Sequence, residues 1–295
     1  MGIKDKMSSD NVEMREMAAR ICRDYLHGSW RKITARDIVL KRISGGLSNW
    51  LYHVSLPETH PPKSSEPSQV LLRLYGQIHG TERALEGLIT ESVIFTLLSE
   101  RRLGPKLHGV FPGGRIEEYI PARPLKTKEL GDPKLSVLIA EKMASIHHMN
   151  VPINKEPRWL WDTINGKYLS RVPSRVVFCH NDMQEGNILL CCENMTDKEA
   201  MQDPRLVLID FEYCSYNYRG FDLANHFLEW VYDYTNTAHP YFSANKQNYP
   251  TREQQEYAVE RLESYFQLKN KILSTSVIST PAETGVKRKI QDLES

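Results

Sequence analysis

The chain has 295 residues, enough for one large domain or two modest ones, and its 40% hydrophobic content suffices for a core. Its 38 Lys and Arg against 37 Asp and Glu leave a formal net charge of +1, which excludes attraction of nucleic acid or anionic membrane by a global field, so a partner must be recognised locally. The five cysteines, Cys22, Cys179, Cys191, Cys192 and Cys214, form no metal-type Cys-x-x-Cys pair and read as reduced core thiols of a cytosolic protein.

The opening stretch MGIKDKMSSDNVEM holds no apolar segment of the signal-peptide kind, and no run reaches transmembrane length. Gly2 resembles a myristoylation start, but Lys6 stands where that signal wants Ser or Thr. A helix is expected from Asp10 to about His27, where Val12, Met17, Ile21, Tyr25 and Leu26 recur at helical spacing and Ser9 or Asp10 can cap it. Strands follow in DIVLKRIS and LYHVSL around the turn GGLSN, where Gly45 and Gly46 allow a close backbone approach that suits a plain hairpin or a bound phosphate. Residues 59–69, THPPKSSEPSQ, read as a surface loop with too little to bury to stay ordered.

The next strand, VLLRLYG, carries Arg73 among apolar residues. A buried cation needs a partner, and Glu91 on the following helix, Glu82 to Arg101, is well placed; an edge Arg reaching solvent is the alternative. KLHGVFPGGRIEEYIPARPL reads as two strands around a Pro-Gly-Gly turn, then an extended segment stopped by Pro121. A helix from Pro133 to about Met149 buries Leu135, Leu138, Ile139, Met143 and Ile146; His147 and His148 at its end suit the helix dipole better than a metal.

From Val176 to Asp210, three short apolar runs hold polar groups at their ends, with Asp182 five residues before Asn187 and Asp210 opening the loop after the third. Each half has an ordinary reading, as an Asx turn in HND or as an Asp that ends a strand. Together, in this order, they match the grouping of protein kinases: one Asp on the attacking hydroxyl, an Asn and a second Asp on Mg²⁺. The expected fold is therefore α+β and protein-kinase-like, with a small β-rich N-lobe over residues 1–118, a mainly helical C-lobe over 119–272 and a polar tail over 273–295. In that layout the GGLSN turn faces nucleotide phosphates, and the backbone of Glu118, Tyr119 and Ile120 faces an adenine ring. Residues 193–204 read as a solvated hairpin excursion. The stretch 213–234 interleaves aromatic rings with Asp222, Glu229 and Asp233, which suits either a core stripe or a pocket for an organic cation, at about 0.5 to 2 kcal/mol per ring.

The motifs CHNDMQEGNILL and LIDFEYCSYNYRGFDLANHFLEWVYDY resemble the choline/ethanolamine kinase family, and the spellings QEGN and DFEY resemble its choline kinase branch. Similarity extends through ISGGLSN, VLLRLYG, ESVIF and GPKLHGVFPGGRIEEYIP, covering roughly residues 10 to 255. The resemblance implies transfer of the ATP γ-phosphate to the hydroxyl of choline, with Mg²⁺, giving phosphocholine for phospholipid synthesis in the cytoplasm. Ethanolamine would be a secondary substrate, and family members are often homodimers.

Position by position, the resemblance implies that Asp182 orients the hydroxyl and accepts its proton, that Gln184 helps form that pocket, and that Asn187 and Asp210 hold the metal. Arg73, partnered by Glu91, would meet the phosphates; Ser44, Gly45, Gly46, Leu47, Ser48 and Asn49 would form the phosphate loop; Tyr213, Glu229 and Tyr234 would line the cation pocket. Two other classes stay open on the residues alone: an aminoglycoside-type phosphotransferase, and a non-catalytic partner of a longer kinase. The chain also departs from the family. Where relatives carry a further helical stretch with two pocket tryptophans, this chain passes from TREQQ directly to EYAVERLESYFQLKNK, and no Trp follows Trp230. The resemblance thus implies an internally shortened C-lobe, with roughly 1 to 4 kcal/mol less acceptor binding and on the order of 1,000 Å² of uncovered apolar surface. Weak activity and a tendency to associate are the expected results.

Overall fold

A computed structural model describes residues 3–43, 49–76, 82–157 and 173–278. The first helix, α1 (Ile3–Tyr25), begins upstream of Ser9 and Asp10, which therefore lie inside it instead of capping it. Its buried seam is Ala18, Ala19, Ile21 and Cys22, with Leu26 just beyond, whereas Val12 and Tyr25 are 55% and 41% exposed. Small residues on that seam let the helix come close to its neighbours, displacing the larger side chains to its flanks.

The seam packs on one face of an antiparallel five-stranded sheet, ordered β1-β2-β3-β5-β4. The strands are β1 (Val39–Ile43), β2 (Asn49–Ser55), β3 (Gln69–Tyr75), β4 (Leu107–Phe111) and β5 (Gly114–Glu118). On β3, Val70, Leu72 and Leu74 point into this core, so the two-residue period turns Arg73 to the opposite face. There it pairs in register with Arg115 of β5, and Glu117, two residues on, shares that face. The turn between β4 and β5 requires its glycines: Gly113 has φ +92°, and a Cβ on Gly114 would come within 2.2 Å of the Arg73 carbonyl oxygen.

The Pro/Ser loop before β3 is better anchored than its composition suggests. Glu66 is buried and accepts from the backbone N–H of Ser29 and of Lys63, and the Trp30 indole donates to the Pro67 carbonyl at 2.7 Å. One carboxylate and one indole thus supply the order that the loop's own apolar content cannot.

Helix α2 (Glu82–Glu100) turns Ile94, Phe95 and Leu98 into a second, larger core. That core is centred on α3 (Pro133–His147), whose N-terminus is capped by the Asp132 carboxylate accepting from Lys134 and Leu135. A three-stranded sheet, β6 (Ala122–Pro124), β8 (Ile188–Cys191) and β9 (Leu206–Leu208), supplies one side of it. The strand β7 (Val176–Cys179) does not join them; it pairs with β10 (Ser215–Tyr218), so the three apolar runs between Val176 and Asp210 are divided between two sheets. Residues 193–204 are also no plain hairpin: a short helix α4 (Asp197–Gln202) starts at a Thr196 and Glu199 capping box and buries Ala200. After β10 come α5 (Arg219–Glu229), a small ribbon of β11 (Tyr232–Asp233) and β12 (Ser243–Ala244), and α6 (Arg252–Ile278). Tyr216 and Tyr218 are thus strand residues and not part of a helical stripe. Helix α6 buries Ala258 and Leu262 and lies along α3.

Candidate active site

The sharp turn after β7 is built by α5. Asp222, fully buried in the first turn of that helix, accepts the backbone N–H of His180 at 3.1 Å and of Asn181 at 2.8 Å, and its Oδ2 lies 2.8 Å from His147 Nε2. Burial alone would raise the Asp222 pKa, but the His147 hydrogen bond and charge more than offset it and hold the carboxyl below its usual range. Three and four residues on, one helical turn away, Asn225 and His226 share the face of Asp222. Asn225 Oδ1 accepts the Met183 N–H at 2.7 Å, and His226 Nδ1 meets the Met183 carbonyl at 2.9 Å. The turn is tied forward as well: Asn181, with φ +68°, donates to the Tyr213 carbonyl and to Ser215 Oγ and accepts from Asn217.

So held, the turn presents Asp182. Its Oδ2 accepts from Asn187 Nδ2 at 2.7 Å and from Gln184 Nε2 at 3.1 Å, and Asn187 Nδ2 also reaches the Asp182 carbonyl at 3.0 Å. Among the described residues, Asp182 Oδ1 has no hydrogen-bond partner to compete with a ligand. Asp210 follows β9 in the left-handed region, φ +62°, which turns its carboxylate out of the strand direction. Burial raises its pKa, the guanidinium of Arg73 lowers it and the charge of Asp182 raises it again. Glu212 and then burial and Asp182 raise the pKa of Tyr213, and burial followed by neighbouring charges that include Asp182 raises those of Glu229 and Tyr234, so these groups lie close enough to feel the Asp182 charge. A cavity of about 490 Å³ lies there, lined by Asn181, Asp182, Glu212, Tyr213, Cys214 and Ser215, within the size range of small-molecule sites. Outside that lining, the Tyr234 hydroxyl donates to Glu229 Oε2 at 3.0 Å. Tyr213 and Tyr234 are 54% and 47% exposed, leaving the ring wall open.

The cation on β3 has a different partner from the one expected. Arg73 Nε donates to Glu117 at 2.8 Å and its Nη1 lies 3.9 Å from Asp210, while Glu91 pairs at 2.6 Å with Arg115. The sheet register explains the exchange, because Arg115 lies beside Arg73 and on the side nearer α2. In the segment after β5, the Glu118 N–H is already bonded to the Lys106 carbonyl at 2.7 Å, and the Tyr119 ring stacks on His53 at 3.9 Å between centroids. Ile120 follows without regular structure. Asn49 begins β2 opposite Tyr75, but Ser44, Gly45, Gly46, Leu47 and Ser48 lie outside the described residues.

Arg115, Glu117, Asn225 and His226 were not among the sequence candidates, and Asp222, read from the sequence as one of the acids interleaved with the rings, is instead fully buried and holds the turn. Their signals were present: RIEE beside LLRLY puts two arginines and one acid on a shared sheet face, and Asp222, Asn225 and His226 recur at helical spacing.

Two groups could be asked to hold a metal. His147, Cys179 and Asp222 offer ligand atoms within 4.8 Å of one another, but Asp222 is saturated by its three donors and the Cys179 thiol faces the Val177 and Asn217 carbonyls. This is a packed hydrogen-bond knot, in which His147 is a partner of Asp222 instead of a helix-dipole cation. Asn187 and Asp210 are different. With its nitrogen turned to Asp182, Asn187 keeps its oxygen for a ligand, and hard oxygen donors of this kind suit Mg²⁺.

The sequence pattern described as choline/ethanolamine kinase matches residues 40–172 and 166–294. A choline/ethanolamine kinase of Rattus norvegicus is 46% identical over 283 residues, covering 85% of this chain and 69% of the relative. Choline kinase alpha of Mus musculus is 43% identical over 305 residues, covering 86% of this chain and 66% of that one. The crystal structure of a choline kinase from Cryptosporidium parvum Iowa II superposes with a TM-score of 0.67 at 26% identity, covering 86% of this chain and 80% of that one, which establishes the protein-kinase-like fold. With the Asp182, Asn187 and Asp210 arrangement in place, the conclusion is that this chain belongs to the choline/ethanolamine kinase family.

Proposed function

We propose that the chain transfers the γ-phosphoryl group of ATP to the hydroxyl of choline, with Mg²⁺ as cofactor and ethanolamine as a secondary acceptor. The observation that carries this reading is the position of Asp182, hydrogen-bonded by Asn187 and Gln184 on one oxygen and sharing its space with Asp210 and with the Glu229 and Tyr234 pair.

In this reading Asp182 holds the acceptor hydroxyl through its second oxygen and takes its proton, since Oδ2 is occupied by two amide donors. Asn187 and Asp210 would hold Mg²⁺, which when bound neutralises charge on the phosphates. Arg73, fixed at Nε by Glu117, keeps its terminal nitrogens for phosphate oxygens. Because the Glu118 N–H is engaged, the peptide groups of Tyr119 and Ile120 are the ones left to meet adenine. Choline's quaternary ammonium cannot donate a hydrogen bond, so ring faces and carboxylates must recognise it; Tyr213, Tyr234 and Glu229 supply both. The open side of this pocket, where Tyr213 and Tyr234 are half exposed, supports weak acceptor binding, about one to three decades below a pocket closed by two further rings. The five unpaired thiols suit a cytoplasmic location, and no helix among the described residues is long and apolar enough to cross a membrane.

The test is phosphorylation of choline and of ethanolamine by the purified chain beside an Asp182→Ala control. Slow phosphocholine formation that vanishes in the control is expected. Product formation equal in both proteins would overturn the assignment.

A further inference from the structure

A second cavity, of about 520 Å³, lies behind the segment that joins the sheet to the helical region. Ile120 and Pro121 of that segment form one wall, Leu138 and Lys142, one turn apart on α3, form another, and Cys191 and Leu206 of the β8 and β9 pair form the floor. The wall is tied to the floor, since the Cys192 N–H donates to the Pro121 carbonyl at 2.9 Å.

Lys142 is the unusual group in this space. Burial lowers its pKa, and the one acidic group acting on it, the Cys191 thiol, is itself pushed up by burial and stays neutral. Among the described residues no carboxylate forms an ion pair with Lys142. Glu118, which also borders the cavity, accepts the Lys106 N–H at 3.0 Å, and its neighbour Glu141 is engaged with Arg261. Glu193 and Arg205, of opposite charge, both line the cavity at exposed positions. A half-buried amine without a counter-charge, set among leucine, isoleucine and proline side chains, is complementary to an anion that brings its own apolar body.

We propose that this cavity is a second ligand site, taking a small carboxylic acid with an apolar chain whose carboxylate pairs with Lys142, and that its occupancy alters nucleotide affinity through the Glu118–Pro121 segment. The nucleotide half of this proposal rests on the kinase reading above; the binding half does not.

The test uses octanoate as the anionic probe and octan-1-ol as its neutral match, titrated calorimetrically into the full chain and into Lys142→Met, which keeps the stem but removes the charge. Saturable octanoate binding is expected, weakened by about tenfold in the variant, with octan-1-ol binding no better to either protein. Octanoate should also shield Lys142 from an amine-reactive label read by mass spectrometry. Absence of saturable binding, equal octanoate affinity in both proteins, or unchanged labelling of Lys142 would each overturn the site. With binding established, the KM for ATP should change in the presence of octanoate for the native chain and not for Lys142→Met; an unchanged KM would overturn the coupling. Calorimetry and labelling need no turnover, so a failure of choline phosphorylation leaves the ligand site to stand or fall by itself.

Discussion

Arg73 Nε lies 2.8 Å from Glu117 Oε1. Arg115 reaches the same oxygen at 2.7 Å and stacks its guanidinium on Phe95 at 4.1 Å. One carboxylate therefore bridges two buried arginines. Glu117→Ala should destabilise the chain by about 3 to 5 kcal/mol, because it takes from buried Arg73 its close partner and leaves Arg115 with Glu91 alone. Glu91→Ala should cost only about 1 kcal/mol, since Glu91 is 18% exposed against 2% for Glu117 and Arg115 keeps its other partner. Urea unfolding of the two variants checks the order; equal losses would refute the shared-carboxylate account.

Asp182→Asn preserves an oxygen that can accept from Asn187 and Gln184, so the turn should keep its shape. The amide cannot take a proton. A fall in kcat of about 10² to 10⁴ is expected, with the melting temperature nearly unchanged. A matching loss of thermal stability would show that Asp182 acts mainly in folding.

Glu229 has its pKa raised, first by burial, against the Tyr234 hydrogen bond that lowers it, with Asp182 and Glu185 raising it further. Only the ionised form attracts an ammonium, so the KM for choline should climb as pH falls toward this raised value, starting at higher pH than an ordinary Glu would require. Glu229→Gln should bind choline weakly and show a flatter pH profile between pH 8 and 5. An unaltered profile would remove Glu229 from the cation pocket.

His226 donates from Nδ1 to the Met183 carbonyl, and its Nε2 accepts the Trp230 indole N–H at 3.3 Å, so a second ring proton would face a donor. Burial accordingly lowers its pKa from the ordinary 6.5. Between the two values the unfolded chain binds a proton that the folded chain refuses. This contribution is whole above pH 6.5 and declines as pH falls below it, by at most about 1.4 kcal/mol per unit. Unfolding free energies at pH 7.5 and 5.5 should differ less for His226→Gln than for the native chain, and an equal difference would exclude this residue as a source of acid sensitivity.

Tyr241 and Phe242 in the ribbon connection, Leu228 on α5 and Tyr257 and Leu268 on α6 are all exposed. Concentration-dependent association is the expected outcome, and Tyr241→Ser with Phe242→Ser should reduce it. Sedimentation velocity across a wide dilution series checks both; a monomer throughout would show that these side chains are tolerated singly.

Much of the site was legible because its elements are local. An apolar run that ends in HND, a second that leaves it and a third that stops at Asp210 place three polar groups at strand ends through backbone period alone. The helix period of α3 was equally plain. What failed were statements about partners distant in sequence. Glu91 was assigned to Arg73 because strand and following helix are adjacent in order, whereas the β3 and β5 register brings Arg115 and Glu117 in between. The loop at 59–69 looked unable to hold itself together, and it does not: Glu66 borrows backbone donors from Ser29, and Pro67 an indole from Trp30.

By itself, then, the amino-acid order determined which polar side chains stand at the strand ends, since periodicity and turn residues act over a few positions. Only the folded chain decided which charge meets which and what holds the reactive turn in place. Asp222, Asn225 and His226 clamp residues 180–183 from some forty positions away, and such pairings follow from burial, where each desolvated donor or acceptor must find whatever partner packing brings within reach.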